Sequence, residues 1–237
     1  MDIQYLNHSS FLIKTKYEGN KLIKIITDPF SDKIGIKFKS TEADIVLVSH
    51  DHNDHNNVDG IKGLTTKDMQ DESFESHLNK PFVINTPGEF EVKGVHIKGI
   101  TSYHDNKKGE VRGKNIIYTI YNEGFRVCFL GDLGHQLSDK QIEQIGDIDL
   151  LMVPVGNVFT IDPETASEVI NQIEPSYVIP MHYKTENHTD SYFDGLKPLK
   201  SFLDAMGSED IKPKESFTLT KSVEEETEVV ILNPQYT

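Results

Sequence analysis

Short apolar runs separated by turn residues dominate the first half of the chain. Three of them, rich in Ile, Leu and Phe, predict strands over residues 3–6, 10–15 and 22–27. Glu18-Gly19-Asn20 predicts a hairpin turn between the second and third strands, and Pro29 ends the third because proline cannot continue a ladder. The β-branched, apolar run over residues 43–49 predicts a buried strand.

The middle of the chain continues this pattern. Further strands are predicted over residues 81–86, 89–93, 95–103, 115–121 and 125–130. Asn122-Glu123-Gly124 joins the last two as a hairpin. Residues 56–64 predict the start of a short helix, and residues 65–80 are polar without periodicity, which indicates a surface insertion or another short helix.

From residue 138 onward, helix and strand patterns alternate. Helices are predicted over residues 138–145 and 163–173, the second opened by Asp162 as N-cap and Pro163. Strands are predicted over residues 149–153, 177–180, 211–220 and 228–232. Residues 191–206 should be partly helical, with Pro198 as an interruption. No linker is visible, so we expect one continuous domain over residues 1–237.

The composition narrows the classes of protein that fit. Of 237 residues, 36% are apolar, which makes a sizeable core feasible. A formal net charge of −14 disfavours nucleic acid as the main partner, because its phosphates would be repelled. Neither a signal peptide nor about 20 consecutive apolar residues is visible, so we expect a cytoplasmic protein with no membrane partner. The single cysteine, Cys128, lies in an apolar run and indicates core packing.

One segment concentrates side chains that bind metals. Residues 50–55 read H-x-H-x-D-H and bring His50, His52, Asp54 and His55 close together in the sequence. Neutral imidazole and ionised carboxylate are ligands that borderline divalent metals take. A histidine-rich loop without a metal is the alternative, but the position directly after a buried strand favours the metal site.

Three further candidates follow apolar strands. His104, Asp132 and His182 each come at the end of one, and each alone would fit a structural role in a loop or turn. Because strand ends gather at one rim of a packed sheet, we expect all three to join the 50–55 segment in one site.

These residues, taken in order, resemble the metallo-β-lactamase-fold superfamily of dinuclear metal hydrolases over nearly the whole chain. Three segments are similar to the branch that contains L-ascorbate-6-phosphate lactonase and related metal-dependent hydrolases: Asn7-His8-Ser9-Ser10-Phe11-Leu12-Ile13, Gly131-Asp132 and Ile179-Pro180-Met181-His182. The resemblance implies an α/β (α+β) fold, a four-layer αβ/βα sandwich with the metals at one edge.

The resemblance also implies seven ligands for two divalent metal ions. His50, His52 and His104 would bind the first ion, Asp54, His55 and His182 the second, and Asp132 would bridge them. Asp28 would orient a ligand histidine from behind. Because every donor is nitrogen or oxygen, Zn²⁺ is the first expectation, with Mn²⁺, Fe²⁺, Ni²⁺ or Co²⁺ as alternatives.

Such a site predicts hydrolysis by a metal-bound hydroxide of an ester-type bond in a small, anionic substrate, a lactone or a phosphodiester. Asp54 is expected to accept the proton or to hold the nucleophile in line. His8, in the branch motif, and His135, three residues after Asp132, are further catalytic candidates.

Four other polar residues are weaker candidates. Lys184 and His188 could meet an anionic group of the substrate, although a solvated loop suits them better. His77 and His96 are expected on the surface, without a role.

Two other functions fit the same residues. A nuclease of the same fold would need an added domain or basic surface, which this acidic chain lacks. A non-catalytic metal-binding or sensing module would not need a complete set of seven ligands. Antibiotic hydrolysis is disfavoured by the branch resemblance. The sequence leaves the oligomeric state open, a homo-oligomer included.

Overall fold

The computed structural model describes residues 1–17, 19, 21–63, 80–189, 191–208, 211–221 and 226–236. Strands β1 to β8 are Asp2–Asn7, Ser10–Tyr17, Lys21–Thr27, Thr41–Ala43, Ile45–Leu47, Ile61–Gly63, Phe82–Ile84 and Gly88–Val92. Strands β9 to β15 are Val95–Tyr103, Lys114–Asn122, Phe125–Phe129, Leu150–Pro154, Tyr177–Met181, Phe217–Thr218 and Glu228–Val229. Helices α1 to α3 are Asp139–Ile145, Pro163–Ile173 and Leu199–Ala205.

Two mixed sheets carry the fold. The first has the strand order β14-β1-β2-β3-β5-β7, and the second has the order β15-β13-β12-β11-β10-β9-β8. In each sheet the hairpin-connected strands pair antiparallel, whereas β3-β5-β7 and β11-β12-β13-β15 pair parallel. Strands β4 and β6 form a separate parallel pair. The parallel strands matter for function because their carboxyl ends lie at a common edge.

The main apolar core lies between the two sheets. The side chains of strand β5 alternate between its two faces, and both faces are buried. Ile45 and Leu47 belong to the core that also contains Ile117 and Leu151 of the second sheet. Val46 faces the opposite side, in a smaller cluster with Phe30. Strands buried on both faces are apolar throughout, as the run over residues 43–49 predicted.

The helices lie against the second sheet. Helix α2 begins where Asp162 accepts a hydrogen bond from the backbone N–H of Thr165 at 2.7 Å, and Pro163 occupies its first turn as predicted. It packs against β12 and α3. Over the first sheet, the described chain supplies 3-10 turns at Asp32–Ile34 and Ser191–Phe193 instead of long helices. The predicted mixed α/β sandwich is confirmed. Within the described ranges, no helix is long and apolar enough to cross a membrane.

Some local predictions are wrong. The helix predicted from residue 56 is a 3-10 turn, Val58–Gly60, followed by β6, because glycines at 60 and 63 disfavour helix and Ile61–Gly63 pairs with β4 instead. Pro198 does not interrupt a helix but caps the start of α3. Of the strand predicted over residues 211–220, only Phe217–Thr218 is regular. The predicted insertion over residues 65–80, with His77, falls almost wholly outside the described residues, as do Glu18 and Asn20 of the first turn.

Candidate metal centre

Strand ends from both sheets meet around the carboxylate of Asp132. Its Oδ2 lies 3.1 Å from His182 Nε2, 3.3 Å from His55 Nε2 and 3.4 Å from His104 Nε2. His50 Nε2 is 4.0 Å from the same oxygen. Asp132 follows β11, His104 follows β9 and His182 follows β13, so residues far apart in sequence share one buried pocket. This is the convergence that the strand-end pattern predicted.

Besides a group made by Asp28, His50 and His55, two groups of ligand-type atoms occupy this pocket. His50, His52 and His104 form the first, with ligand atoms within 4.8 Å of one another. The second contains His55 and His182 and also His8, which the sequence treated only as a catalytic candidate. Asp54 lies beside this second group, with its Oδ2 3.6 Å from His55 Nε2 and 3.4 Å from His8 Nε2.

Asp28 organises the histidines from behind. Its carboxylate accepts hydrogen bonds from the Ser49 N–H at 2.7 Å, the Ser49 hydroxyl at 2.5 Å and His55 Nδ1 at 3.0 Å. Because the Ser49 hydroxyl donates to Asp28, its oxygen accepts from His50 Nδ1 at 2.8 Å. In the neutral tautomer, His50 and His55 therefore direct an unprotonated Nε2 into the pocket, which is the form that binds a metal.

A glycine allows Asp132 to reach its position. Gly131 has φ of 55°, and a Cβ there would lie 2.4 Å from Asn115 Oδ1 and 2.5 Å from Ser49 Cβ. The Asp132 N–H donates to Asn115 Oδ1 at 3.0 Å, and the Asn115 amide donates in turn to Ser102 Oγ and the Leu130 carbonyl. The carboxylate is thus fixed by its own backbone.

Burial and charge favour a cation here. Among the described residues, two buried imidazole nitrogens that face this pocket with a lone pair, Nε2 of His50 and His55, lack a hydrogen-bond partner. Buried polar atoms are normally paired, and divalent cations pair with unprotonated imidazole. Burial lowers the pKa of His104 to about 4 and that of His50 well below its usual value, which keeps both rings neutral.

The Asp132 carboxylate stays ionised despite its burial. Burial would raise the pKa of Asp132, but the charges of His182 and His55 lower it well below its usual range. Burial opposes a charge on His55, yet Asp132 and Asp54 raise its pKa well above 6.5. A pocket whose potential stabilises a positive imidazole equally stabilises a metal cation. The residues present therefore fit a metal centre.

Comparison with known proteins identifies the family. The family model described as "Beta-lactamase superfamily domain" matches residues 2–182, most of the chain and nearly all of the pocket's side chains. The chain belongs to the metallo-β-lactamase superfamily. It is similar to a UPF0173 metal-dependent hydrolase of Thermoplasma volcanium, at 30% identity over 90% of this chain and 97% of that one.

Other relatives agree. A UPF0173 metal-dependent hydrolase of Pelotomaculum thermopropionicum is 31% identical over 78% of this chain and 85% of its own. A solved structure from Thermotoga maritima, described as a candidate zinc-dependent hydrolase of the metallo-β-lactamase superfamily, is 34% identical with a TM-score of 0.70 and covers 98% of this chain and 99% of that one. The protein is a metal-dependent hydrolase of this superfamily, as the sequence predicted.

His135 of this hydrolase lies outside the metal pocket, although the sequence offered it as a catalytic candidate. Its Nε2 accepts from the Tyr103 N–H at 3.2 Å, and its Nδ1 lies 2.7 Å from the Gln136 carbonyl oxygen. The ring lines a separate cavity of about 620 Å³ along β9 and α1. With both nitrogens bonded to backbone, His135 fixes the chain around residue 103 and, within the described ranges, makes no hydrogen bond or ion pair with the histidines and aspartates of the metal pocket.

The prediction for His188 is wrong in the other direction, because it placed a buried residue in solvent. The sequence favoured a solvated loop, but the structure leaves only 3% of the residue exposed, with Nε2 3.2 Å from His8 Nδ1. Lys184 donates to the His188 carbonyl at 3.1 Å and to Asp194 at 2.8 Å, so it holds this loop together. His96 is exposed, as predicted. No sequence signal separates His188 from an ordinary loop histidine, since its burial depends on contacts with the opposite end of the chain.

A cavity of about 630 Å³ opens beside the metal pocket. His52 and Asp54 form part of its wall, and Lys33, Tyr192 and Phe193 line it from other segments. The Tyr192 ring stacks on Phe159 at a centroid distance of 4.7 Å. No motif in the sequence identifies these cavity side chains in advance.

Proposed function

We propose that this hydrolase holds two divalent cations and cleaves an ester-type bond, a lactone or a phosphodiester, in a small anionic substrate. The observation that carries the proposal is the convergence of three imidazole Nε2 atoms within 3.4 Å of one Asp132 oxygen, with the ligand-type atoms of His50, His52 and His104 and those of His55 and His182 beside it. One central carboxylate between two histidine groups suits two cations better than one.

The proposed ligands are those expected from the sequence. His50, His52 and His104 would hold one cation, Asp54, His55 and His182 the other, and Asp132 would lie between them. The cations would supply Lewis-acid activation of water and of the substrate oxygen under attack. Nitrogen and oxygen donors favour Zn²⁺, and Mn²⁺, Fe²⁺, Ni²⁺ and Co²⁺ suit the same set.

Asp54 would position the groups that react. The Asp54 carboxylate is partly exposed, with 21% of its side chain accessible, and faces both the second histidine group and the open cavity. Burial would raise its pKa, but His55 and His8 lower it, so Asp54 is ionised; of the two expected roles, the lowered pKa favours holding a water molecule in line over accepting its proton.

A basic and aromatic wall supports an anionic substrate. The Arg112 guanidinium lies 5.6 Å from the Phe159 ring, and that ring lies 6.4 Å from His182. Asp105 holds the Arg112 segment by accepting four backbone N–H groups, including that of Arg112 at 2.7 Å. A guanidinium carried by a fixed backbone near the metal pocket suits a carboxylate or phosphate of the substrate.

Arg112→Ala is expected to raise KM for an anionic substrate about 10-fold while kcat changes little, because Arg112 would contribute to binding in both ground and transition states. Steady-state kinetics with a charged substrate and its uncharged analogue measure the effect. Arg126→Ala is the matched control, since Arg126 also lies over an aromatic ring, Tyr121, but away from the pocket. Equal KM changes for both substrates would contradict this role of Arg112.

Metal analysis combined with a substrate panel tests the whole proposal. We expect two equivalents of metal per chain and metal-dependent turnover of lactones or phosphodiesters that chelation abolishes. Metal retained without turnover of any lactone, phosphodiester or thioester would favour a binding or sensing module. A salt-sensitive complex with RNA or DNA, together with its cleavage, would favour the nuclease.

A further inference from the structure

A buried row of hydrogen bonds runs from a loop of the chain to the metal pocket. It begins at Thr185, passes through His188 and ends at His8, which lies in the turn between β1 and β2. His8 is fully buried, and His188 is nearly so. His8 is a catalytic candidate from the sequence, and this row decides which nitrogen of its ring carries the proton.

The first link fixes the His188 ring. The Thr185 backbone N–H donates to His188 Nδ1 at 3.2 Å, and the Thr185 hydroxyl lies 2.9 Å from the same nitrogen. A backbone N–H can only donate, so His188 Nδ1 must carry a lone pair. The proton of the neutral His188 ring is therefore on Nε2.

The second link transfers this constraint to His8. His188 Nε2 lies 3.2 Å from His8 Nδ1 and, carrying the proton, donates to it. His8 Nδ1 is then an acceptor, and the proton of His8 is on Nε2. The backbone keeps the ring in place, since the His8 carbonyl accepts from the Tyr5 hydroxyl and the His182 N–H, both at 2.8 Å.

His8 differs from the proposed ligands His50 and His55 in which ring nitrogen carries the proton. His50 and His55 donate from Nδ1 toward the Asp28 network and so direct a lone pair into the pocket. His8 accepts at Nδ1 and directs an N–H into the same pocket, although its Nε2 lies among ligand-type atoms. A metal bond from His8 would require the reverse tautomers, with a His188 Nδ1–H facing the Thr185 N–H.

We infer that His8 is not a metal ligand but donates a hydrogen bond from Nε2 to an oxygen of the substrate, with His188 and Thr185 as positioning residues that fix its tautomer. His8 Nε2 lies 3.4 Å from Asp54 Oδ2 but has no hydrogen-bond partner in the part of the chain that the structure describes. A buried N–H aimed at the reacting centre is placed to bind an acceptor there. The substrate contact rests on the proposed hydrolase function, whereas the tautomer does not.

The tautomer and the metal content are measured without substrate. In zinc-loaded protein labelled with ¹⁵N-histidine, long-range ¹H–¹⁵N spectra should show His8 and His188 protonated at Nε2, and His50 and His55 protonated at Nδ1. Signals are assigned by single His→Gln variants. His8→Ala and His8→Gln should retain the same metal content as the wild type, whereas His182→Ala should lose metal. A His8 ring protonated at Nδ1, or loss of one metal equivalent in both His8 variants, overturns the inference.

Variants of His188 test the positioning role. His188→Leu removes the donor to His8, and we expect kcat to fall about 10- to 100-fold with metal content unchanged, as for residues that orient a reacting group. His188→Gln can still donate an amide N–H and should restore most of kcat. His96→Ala, at an exposed histidine, should match the wild type. Unchanged kcat and an unchanged His8 spectrum in His188→Leu would refute the role of His188.

Discussion

Asp132→Asn is expected to lower kcat by at least about 10³-fold and to remove most of the bound metal, because it neutralises a central charge that lies against both proposed metal groups. The Asp132 carboxylate is 1% exposed and lies within 3.4 Å of three imidazole nitrogens. An amide of the same shape cannot supply a second negative oxygen, so the effect is electrostatic rather than steric. Metal content by mass spectrometry and single-turnover rates measure the two losses.

Asp59→Asn is the matched control for Asp132→Asn. Asp59 is exposed and lies in the 3-10 turn that follows the 50–55 segment. The same chemical change there should leave kcat and metal content within about twofold of the wild type, since exposed charges interact weakly with distant groups. If Asp132→Asn retained both metal and turnover, the central role of this carboxylate would be wrong, and the two histidine groups would have to act independently.

The convergence at Asp132 could be predicted because the local and the global patterns agree. Apolar runs located β9, β11 and β13, and a polar residue of a type that binds metals follows each of them: His104, Asp132 and His182. Strands that end on the same side of two packed sheets end at a common edge. The residues that directly follow these strands in the sequence therefore lie close together in space. The family match and the similar solved structure confirm the predicted superfamily and mixed α/β fold.

The residues that the sequence missed depend on contacts between distant loops. His188 is buried by its contact with His8, which is 180 positions away, and Arg112 reaches Phe159 only because the Asp105 carboxylate folds its own loop. No period in the sequence encodes such contacts. The misplaced helix after residue 56 has a similar cause, since β6 forms by pairing with β4 rather than from its own preference.

His182 depends on a close approach that only glycine permits, and Gly156→Ala is expected to disrupt it. A Cβ at Gly156 would lie 1.9 Å from the His182 carbonyl oxygen, so the two segments would have to separate by about 1 Å. His182 has φ of 54° and donates its N–H to the His8 carbonyl at 2.8 Å, which leaves the backbone little freedom to move away. We expect the free energy of unfolding of the metal-free protein to fall by about 3 kcal/mol.

Metal binding should fall together with stability in Gly156→Ala, because a shifted His182 would leave the 3.1 Å contact between its Nε2 and Asp132 Oδ2. Urea denaturation and metal titration of the same preparations measure the two effects. Gly195→Ala is the matched control, since its Cβ would meet only the Val158 side chain, at 3.1 Å, which can rotate aside. We expect a change of less than about 1 kcal/mol there and full metal binding. If Gly156→Ala destabilised the protein but bound metal normally, the close approach would serve packing alone, and His182 would not require this backbone position to hold its cation.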